Sequence, residues 1–429
     1  MVLRKHQNIK LSLVASALAV ILTGCGGDDS SNKSSGGGTT SSEVSALNSR
    51  MDAISYNVAD NSDTALCENA AAASYLIETE HFNIVTETGY EVTESNAIRA
   101  AQLAEVVWQD LISAEMFDID AANDTTITTA AWTVCLKTAS DSGFKGSALD
   151  YDTLEVGYTA NVAYDYPLML HEMTHVLGDN IAYLNAVDNG QTYSTSSTTM
   201  RWIKEAMATL AASQANIFSS EIEDTFYSAT GSTVVSPALI NSYAESLAAG
   251  LEVESGYDGY DQYSYYATML QAIQDQGTDF ALKDWLYLYG DYDVLTDTTA
   301  LATRFNNLMT QKGISFTLSD LQTANGFDTH IISYIASNYD KTVAFSADRS
   351  YIDFYIETDS IYQPDIEATA TADGASILYT SKHVKDGSYK IYASTASGDA
   401  YGPATITIKN GAIAGPVDLN SLPVFTDFD

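Results

Sequence analysis

Basic residues are scarce in this 429-residue chain. Its 19 lysines and arginines stand against 56 aspartates and glutamates, which gives a formal net charge of −37. Proteins that bind nucleic acid need a basic surface to contact the phosphates. The composition therefore excludes nucleic acid as a partner. Strong acidity indicates solubility and repulsion from anionic surfaces, and it predicts neither a fold nor a reaction.

Long apolar runs are also lacking, apart from one near the N-terminus. Three basic residues precede an apolar run over 11–22, which is too short for an ordinary transmembrane helix. The letters LTGC follow at 22–25 and resemble a bacterial lipobox. They predict a signal peptide over 1–24 and lipid attachment to Cys25, with a plain secretory signal as the alternative. Because Gly26 follows the cysteine, the resemblance implies a cell-envelope lipoprotein anchored in the outer membrane, facing the periplasm or the exterior.

Cysteine is rare as well, with three in the whole chain. If Cys25 carries the lipid, Cys67 and Cys135 remain. An even pair in an exported protein predicts a disulfide, which in the chain-entropy model contributes about 4 kcal/mol. Two separate buried thiols are the alternative.

The length exceeds what one hydrophobic core comfortably holds, so we expect more than one domain. Residues 25–45 are polar and rich in glycine and serine, which predicts a flexible tether. Residues 46–338 alternate strands and helices at first and then become mostly helical. Residues 341–429 contain short alternating runs between turn residues, which predicts a β-sandwich-like accessory domain. The expected class is α+β: an N-terminal mixed sheet with a site-bearing helix, a mostly helical part, and this all-β domain.

The stretch "YPLMLHEMTHVLGDN" at 166–180 carries the chemistry. Pro167 and Gly178 suit the first turn and the C-terminal end of a helix of about eleven residues. His171 and His175 lie one turn apart on its polar face, so both imidazoles can reach one metal ion. Glu172 beside them is suited to take a proton from a water molecule at the metal. A pair of core histidines is the alternative, but burying these groups without a partner is costly.

A third ligand is needed, and Glu205 is the first candidate. It lies on a predicted helix whose own face carries small residues, which allows two helices to approach closely and share an ion. Asp179 is an alternative if the histidine helix continues through Gly178. Asp279, which follows a Gly-Thr pair as in aspzincins, is another.

The two motifs together resemble the gluzincin metallopeptidases, and more narrowly the peptidase MA-like set. The motif residues are His171-Glu172-Met173-Thr174-His175 and Trp202-Ile203-Lys204-Glu205-Ala206-Met207-Ala208. The resemblance covers roughly residues 76–290. It implies a zincin-like fold, one Zn²⁺ on His171, His175 and Glu205, Glu172 as general base, and a peptide or protein substrate.

Three features of this family have uncertain counterparts here. Many gluzincins carry an aspartate that orients a zinc histidine where this chain has Thr209, so either Asp179 replaces it or the site is looser. Family members supply a Tyr or His to the developing oxyanion, and Tyr263 and Tyr266 are the candidates for this catalytic role. The stretch 155–158 is either an edge strand that pairs with an extended peptide or an ordinary core strand.

The remaining predictions concern other ligands and other functions. Asp291, Asp293 and Asp297 form either a Ca²⁺ site or a solvated turn. A non-catalytic surface lipoprotein that binds peptides or glycans on a zincin-like scaffold is the alternative to a hydrolase. A glycan- or peptidoglycan-binding protein that works through its β domain is a third reading. The sequence does not predict an oligomeric state.

Overall fold

A computed structural model describes the chain from Ser42 to Val424 in segments. They are 42–59, 66–67, 75–87, 92–120, 127, 130–138, 146–194, 201–212, 259–338, 340–346, 351–358, 366–371, 374–378, 387–395, 399–409, 412–413, 417–418 and 423–424. The predicted signal peptide, Cys25 and nearly all of the predicted tether lie outside these residues. The described residues fall into two units, one ending at Phe327 and one beginning at Asp328.

A six-stranded mixed sheet forms the framework of the first unit. Its strands are β1 (Asn57–Ala59), β2 (Leu76–Glu78), β3 (Phe82–Thr86), β4 (Trp132–Thr138), β5 (Gly146–Asp150) and β6 (Thr153–Tyr158). They lie in the order β1-β2-β3-β4-β6-β5. The pairs β3–β4 and β4–β6 are parallel, whereas β1, β2 and β5 pair antiparallel with their neighbours. The predicted mixed sheet is confirmed.

Ten α-helices accompany this sheet within the described part of the unit. They are α1 (Ser42–Asp52), α2 (Glu94–Leu111), α3 (Val162–Asp188), α4 (Arg201–Ala211), α5 (Gly259–Gln276), α6 (Leu282–Tyr289), α7 (Tyr292–Thr296), α8 (Thr298–Gln311), α9 (Leu318–Leu321) and α10 (Ala324–Phe327). The helix α2 connects β3 to β4, as a parallel pair requires. No helix in the described segments is both long and apolar enough to cross a bilayer.

Aromatic packing fixes α2 against the sheet. Trp108 of α2 meets Trp132 of β4 edge to face at 4.8 Å between ring centroids, and Phe82 of β3 contacts both rings. All three side chains are buried. Burial of rings this large is a major source of stability in such a core.

The predicted disulfide is confirmed between Cys67 and Cys135, whose Cα atoms are 5.7 Å apart. Leu76 and Val85 pack against it on the same face of the sheet. The bond therefore ties a segment that precedes β2 to the central strand β4.

The second unit consists of a short helical entry and a β-sheet. A π-helix (Asp328–Ile332) and α11 (Ser333–Asn338) precede eight strands: β7 (Asp340–Ser346), β8 (Tyr351–Thr358), β9 (Ile366–Thr371), β10 (Gly374–Leu378), β11 (Gly387–Thr395), β12 (Ala400–Lys409), β13 (Ala412–Ile413) and β14 (Val417–Asp418). Pairing runs in the order β13-β12-β11-β8-β9-β10-β7-β14, antiparallel except between β14 and β7. This unit is rich in β-structure, as the sequence predicts. The sandwich arrangement stays a prediction.

Candidate metal centre

The helix α3 is far longer than the sequence indicates. It spans 27 residues and runs through Gly178, so the prediction of an eleven-residue helix ending there is wrong. Asn161 begins it about one turn earlier than expected, because its side chain accepts a hydrogen bond from the Ala163 amide. Pro167 lies inside the helix. The two histidines thus lie in the middle of a long and mostly buried helix.

The helix α4 brings the third predicted ligand to the site. It packs against α3, α5 and α6. Trp202 near its start is buried and lies 6.3 Å from the ring of Trp285 and 6.5 Å from that of Phe305. The small residues on the same face of this region, Ala208, Thr209 and Ala212, are buried and permit the close approach that the sequence predicts. Glu205 therefore projects from α4 toward α3.

The donor atoms of His171, His175 and Glu205 converge. The two Nε2 atoms lie 3.1 Å apart, and Glu205 Oε2 lies 3.5 Å from His171 Nε2 and 3.2 Å from His175 Nε2. A tetrahedral zinc centre with bonds of about 2.0–2.1 Å would hold its donors roughly 3.3 Å apart. All three side chains are buried. These residues therefore fit a metal ion, and the geometry alone does not identify which one.

The electrostatic environment favours the metal-binding forms of His175 and Glu205. Burial lowers the pKa of His175 to about 4, so its imidazole is neutral near pH 7. Burial alone would raise the pKa of Glu205, but the two histidines lower it well below its ordinary value through charge and hydrogen bonding. A neutral imidazole and an ionised carboxylate are the forms in which these two side chains bind a cation.

Glu172 lies beside this group and is completely buried. Neither of its carboxylate oxygens makes a hydrogen bond of ordinary geometry within the described residues. Burial raises the pKa of Glu172 to about 7, opposed by His171 and Lys204 and by the nearby amide of Ala148. A carboxyl group whose pKa lies near neutrality is suited to take and return a proton.

The strand that reaches Glu172 is β5, which forms one end of the described sheet. An added Cβ at Gly146 would stand only 2.5 Å from Glu172 Oε1. The stretch 155–158 belongs to β6, which lies between β4 and β5. Glu155 and Val156 pair with β5, so the interpretation of this stretch as an edge strand is wrong for these two residues. The turn residues at 150–152 could have signalled the hairpin of β5 and β6.

Asp179 takes no part in the donor group. Its Oδ2 pairs with Lys204 Nζ at 2.8 Å, and its Oδ1 accepts a hydrogen bond from the Tyr289 hydroxyl at 2.6 Å. The suggestions that Asp179 is a metal ligand or orients a zinc histidine are both wrong, since its two oxygens are directed to other partners. Asp279, the other alternative ligand, is exposed beyond the end of α5.

The second ring nitrogen of His175 lacks the expected partner. His175 Nδ1 and Thr209 Oγ1 are both buried, and neither makes a hydrogen bond to any described residue. In metal sites the outer nitrogen of a ligating histidine commonly donates to a carboxylate or a carbonyl. Thr209 therefore does not supply the hydrogen bond to His175 that an aspartate at this position would supply in the family it resembles.

The tyrosine candidates lie on α5, which packs against α4. Tyr266 is buried. Tyr263 is in the same helix, but its side chain lies outside what the structure describes. Their assignment to the oxyanion stays a prediction.

The aspartates considered for Ca²⁺ are held by separate partners. Asp291 pairs with Arg304, Asp293 accepts from Gln191, and Asp297 caps α8 by accepting from the Thr299 amide. In the described segments only two side-chain groups have donor atoms close enough to hold an ion. One is the histidine group, and the other comprises Glu87 and the two sulfurs of the disulfide. No calcium cluster forms there from these aspartates.

The chain matches no known protein-family model, and a search of curated proteins finds no match either.

Proposed function

We propose that this protein is a zinc-dependent metallopeptidase of the gluzincin type, anchored to the cell envelope through Cys25. The observation that carries the proposal is the convergence of His171 Nε2, His175 Nε2 and Glu205 Oε2 at 3.1–3.5 Å. A zinc ion bound there would polarise a scissile carbonyl and make a water molecule more acidic. The buried carboxylate of Glu172 would accept that water's proton and pass it to the leaving amine.

A peptide substrate is favoured by the position of β5. An edge strand can pair with an extended peptide through its main-chain groups. Gly146 at the start of β5 touches Glu172, so a peptide aligned on this strand would pass the proposed base. The scissile bond and the proton acceptor would thus be brought together by the same strand.

Metal content tests the proposal. Residues 26–429 are purified without chelators as wild type, as Glu205→Ala, and as the matched control Glu105→Ala. Glu105 is likewise a buried glutamate on a helix that pairs with a histidine, His81. We expect one equivalent of zinc in wild type and control and a large loss in Glu205→Ala. Folded wild-type protein without metal would overturn the proposal, and zinc retained in Glu205→Ala would place the third ligand elsewhere.

Turnover distinguishes the hydrolase from the alternative, a non-catalytic binding protein on the same scaffold. The observation that favours the alternative is that His175 Nδ1 has no hydrogen-bond partner among the described residues. A peptide-library screen is run on wild type and on Glu172→Gln. We expect Glu172→Gln to keep its zinc and to lose about 10²–10⁴-fold in rate, the usual contribution of a general base. Zinc-loaded wild type that cleaves no peptide would favour the binding protein, and wild-type hydrolysis by Glu172→Gln would exclude its assigned role.

A further inference from the structure

A partly buried three-residue network joins the helix of the histidines to the helix of Glu205. Asp179 of α3 lies one turn beyond His175 and is 5% exposed. It pairs with Lys204 of α4 at 2.8 Å and accepts from the Tyr289 hydroxyl of α6 at 2.6 Å. We call Asp179, Lys204 and Tyr289 the clamp.

The clamp adjoins the metal centre on both helices. Lys204 directly precedes Glu205, so the two side chains leave α4 from neighbouring positions. Glu205 reaches His175, and Lys204 reaches Asp179 one turn further along the same helix. Two successive turns of α3 therefore hold two successive residues of α4, and this fixes both the position and the rotation of α4.

Gly178 leaves space for the ring of Tyr289, the third residue of the clamp. A Cβ at this position would stand 2.8 Å from Tyr289 Cδ1, so the ring packs directly on the backbone of α3. From there the hydroxyl reaches Asp179, and the Lys204 ammonium lies 5.8 Å from the ring centroid. The sequence signal that suggested a helix end at Gly178 thus has a different cause, namely this close approach.

General stabilisation is a weak explanation for the clamp. The side chain of Lys204 is 26% exposed and that of Asp179 is 8% exposed. Ion pairs that reach solvent contribute little net stability, and in buried pairs desolvation of the charges offsets their attraction. In some proteins an ion pair of this kind instead specifies one arrangement of the helices over others. Here that arrangement is the one that directs Glu205 to the histidines. Thr209 does not orient the centre as an aspartate would, and the clamp lies one helical turn from His175, where it can hold α4 in position.

We infer that Asp179, Lys204 and Tyr289 are positioning residues for the metal centre, and that they act by holding α4 so that Glu205 completes the ligand set. The inference rests on the proposed metal-binding function. In this inference the Asp179 carboxylate does not bind the metal. It affects the metal by holding Lys204, the residue next to Glu205.

Zinc affinity of the metal-free 26–429 protein, measured by competition with a chromophoric chelator, tests the inference. The variants are Lys204→Met, Tyr289→Phe and Lys204→Arg, and the matched control is Lys312→Met. Lys312 also pairs with an aspartate, Asp284, at 2.7 Å and lies 5.5 Å from the ring centroid of Phe280. We expect zinc binding to weaken about 10–100-fold in Lys204→Met, the usual effect of outer-shell changes. Tyr289→Phe should weaken it less, and Lys204→Arg should restore most of it.

If the clamp only stabilised the fold, its variants would lower the free energy of unfolding without changing the zinc affinity or the ligand geometry. Urea unfolding of the metal-free variants measures that contribution, and the visible spectrum of the Co²⁺-loaded proteins reports the ligand geometry. We expect Lys312→Met to lower stability without changing affinity or spectrum, whereas Lys204→Met and Tyr289→Phe change both. If folded Lys204→Met and Tyr289→Phe bind zinc as tightly as wild type, the inference is overturned but the proposed metal centre is not. Absence of zinc binding in wild type would overturn the metal centre and the inference with it.

Discussion

Gly146 lies against the carboxylate of Glu172, so closely that a methyl group on its Cα would overlap that side chain. The contact joins the outermost strand of the sheet to the proposed base. Because the Glu172 side chain is fully buried, it has little space into which it can withdraw. The glycine is therefore part of what defines the position of the base.

Gly146→Ala should impair turnover and leave metal binding intact. The added Cβ would stand 2.5–2.8 Å from three Glu172 atoms, so the carboxylate must move. We expect kcat to fall at least about tenfold with unchanged zinc content, because small displacements of a catalytic group are costly. Ser147→Ala is the control, since it alters the next residue of β5 without adding volume. Equal kcat in Gly146→Ala and wild type would show that the base tolerates displacement.

Asp165→Asn should change the pH dependence of stability. Asp165 is buried at the start of α3, its Oδ1 accepts from the amide and hydroxyl of Thr159, and its Oδ2 has no partner among the described residues. Burial raises the pKa of Asp165 to about 7 from the ordinary 3.8, although hydrogen bonds oppose the shift. The pKa of Asp165 is higher in the folded than in the unfolded protein. Its contribution to the free energy of unfolding is therefore fully present below pH 3.8 and is lost as the pH rises through about 7.

The asparagine variant lacks this loss, since it does not titrate. Between pH 4 and 8 its free energy of unfolding should therefore gain on that of the wild type, by at most about 4 kcal/mol for a shift of this size. Urea unfolding of the metal-free proteins measures the difference. Asp188→Asn, which changes an exposed aspartate at the end of the same helix, should follow the wild-type curve. Parallel curves for Asp165→Asn and wild type would contradict the raised pKa.

Loss of the Cys67–Cys135 disulfide should destabilise the first unit without emptying the metal centre. Removal of a native disulfide typically costs about 2–5 kcal/mol. We expect a reductant to lower the urea midpoint of wild type and to have no effect on the double variant Cys67→Ala/Cys135→Ala. Zinc content should be the same in both proteins. A reductant that leaves the wild-type midpoint unchanged would mean that the bond contributes little.

The sequence was most informative where chemistry and local pattern coincide. His171, Glu172 and His175 are close in the chain, so helical spacing alone predicts their common face. Glu205 is distant, yet its helix and the small residues around it were enough to select it over Asp179 and Asp279. The disulfide followed from the number of cysteines and the expected export.

Relations that depend on packing between distant segments were not predictable. The ion pair of Lys204 with Asp179 exists only because α3 continues beyond Gly178, and the glycine itself suggested that the helix stops there. In the part predicted to be mostly helical, residues 318–338 form α9, a turn at 322–323, and then α10, a π-helix and α11 in direct succession, and the sequence pattern does not signal the turn or the π-helix. The contact of Gly146 with Glu172 requires β5 to pack against α3 as well as to pair with β6, and the turn at 150–152 signals only the pairing.

The division of the donor group between two helices bears on ion selectivity. Two ligands and the proposed base share the single rod α3, so their mutual spacing is almost invariant. Glu205, on α4, is the proposed ligand whose distance from the other two would change with a movement between the two helices. If the centre binds a divalent cation as proposed, its preference among cations would depend on how rigidly α4 is held, and a chain with a loosened α4 should discriminate less sharply between zinc and larger ions.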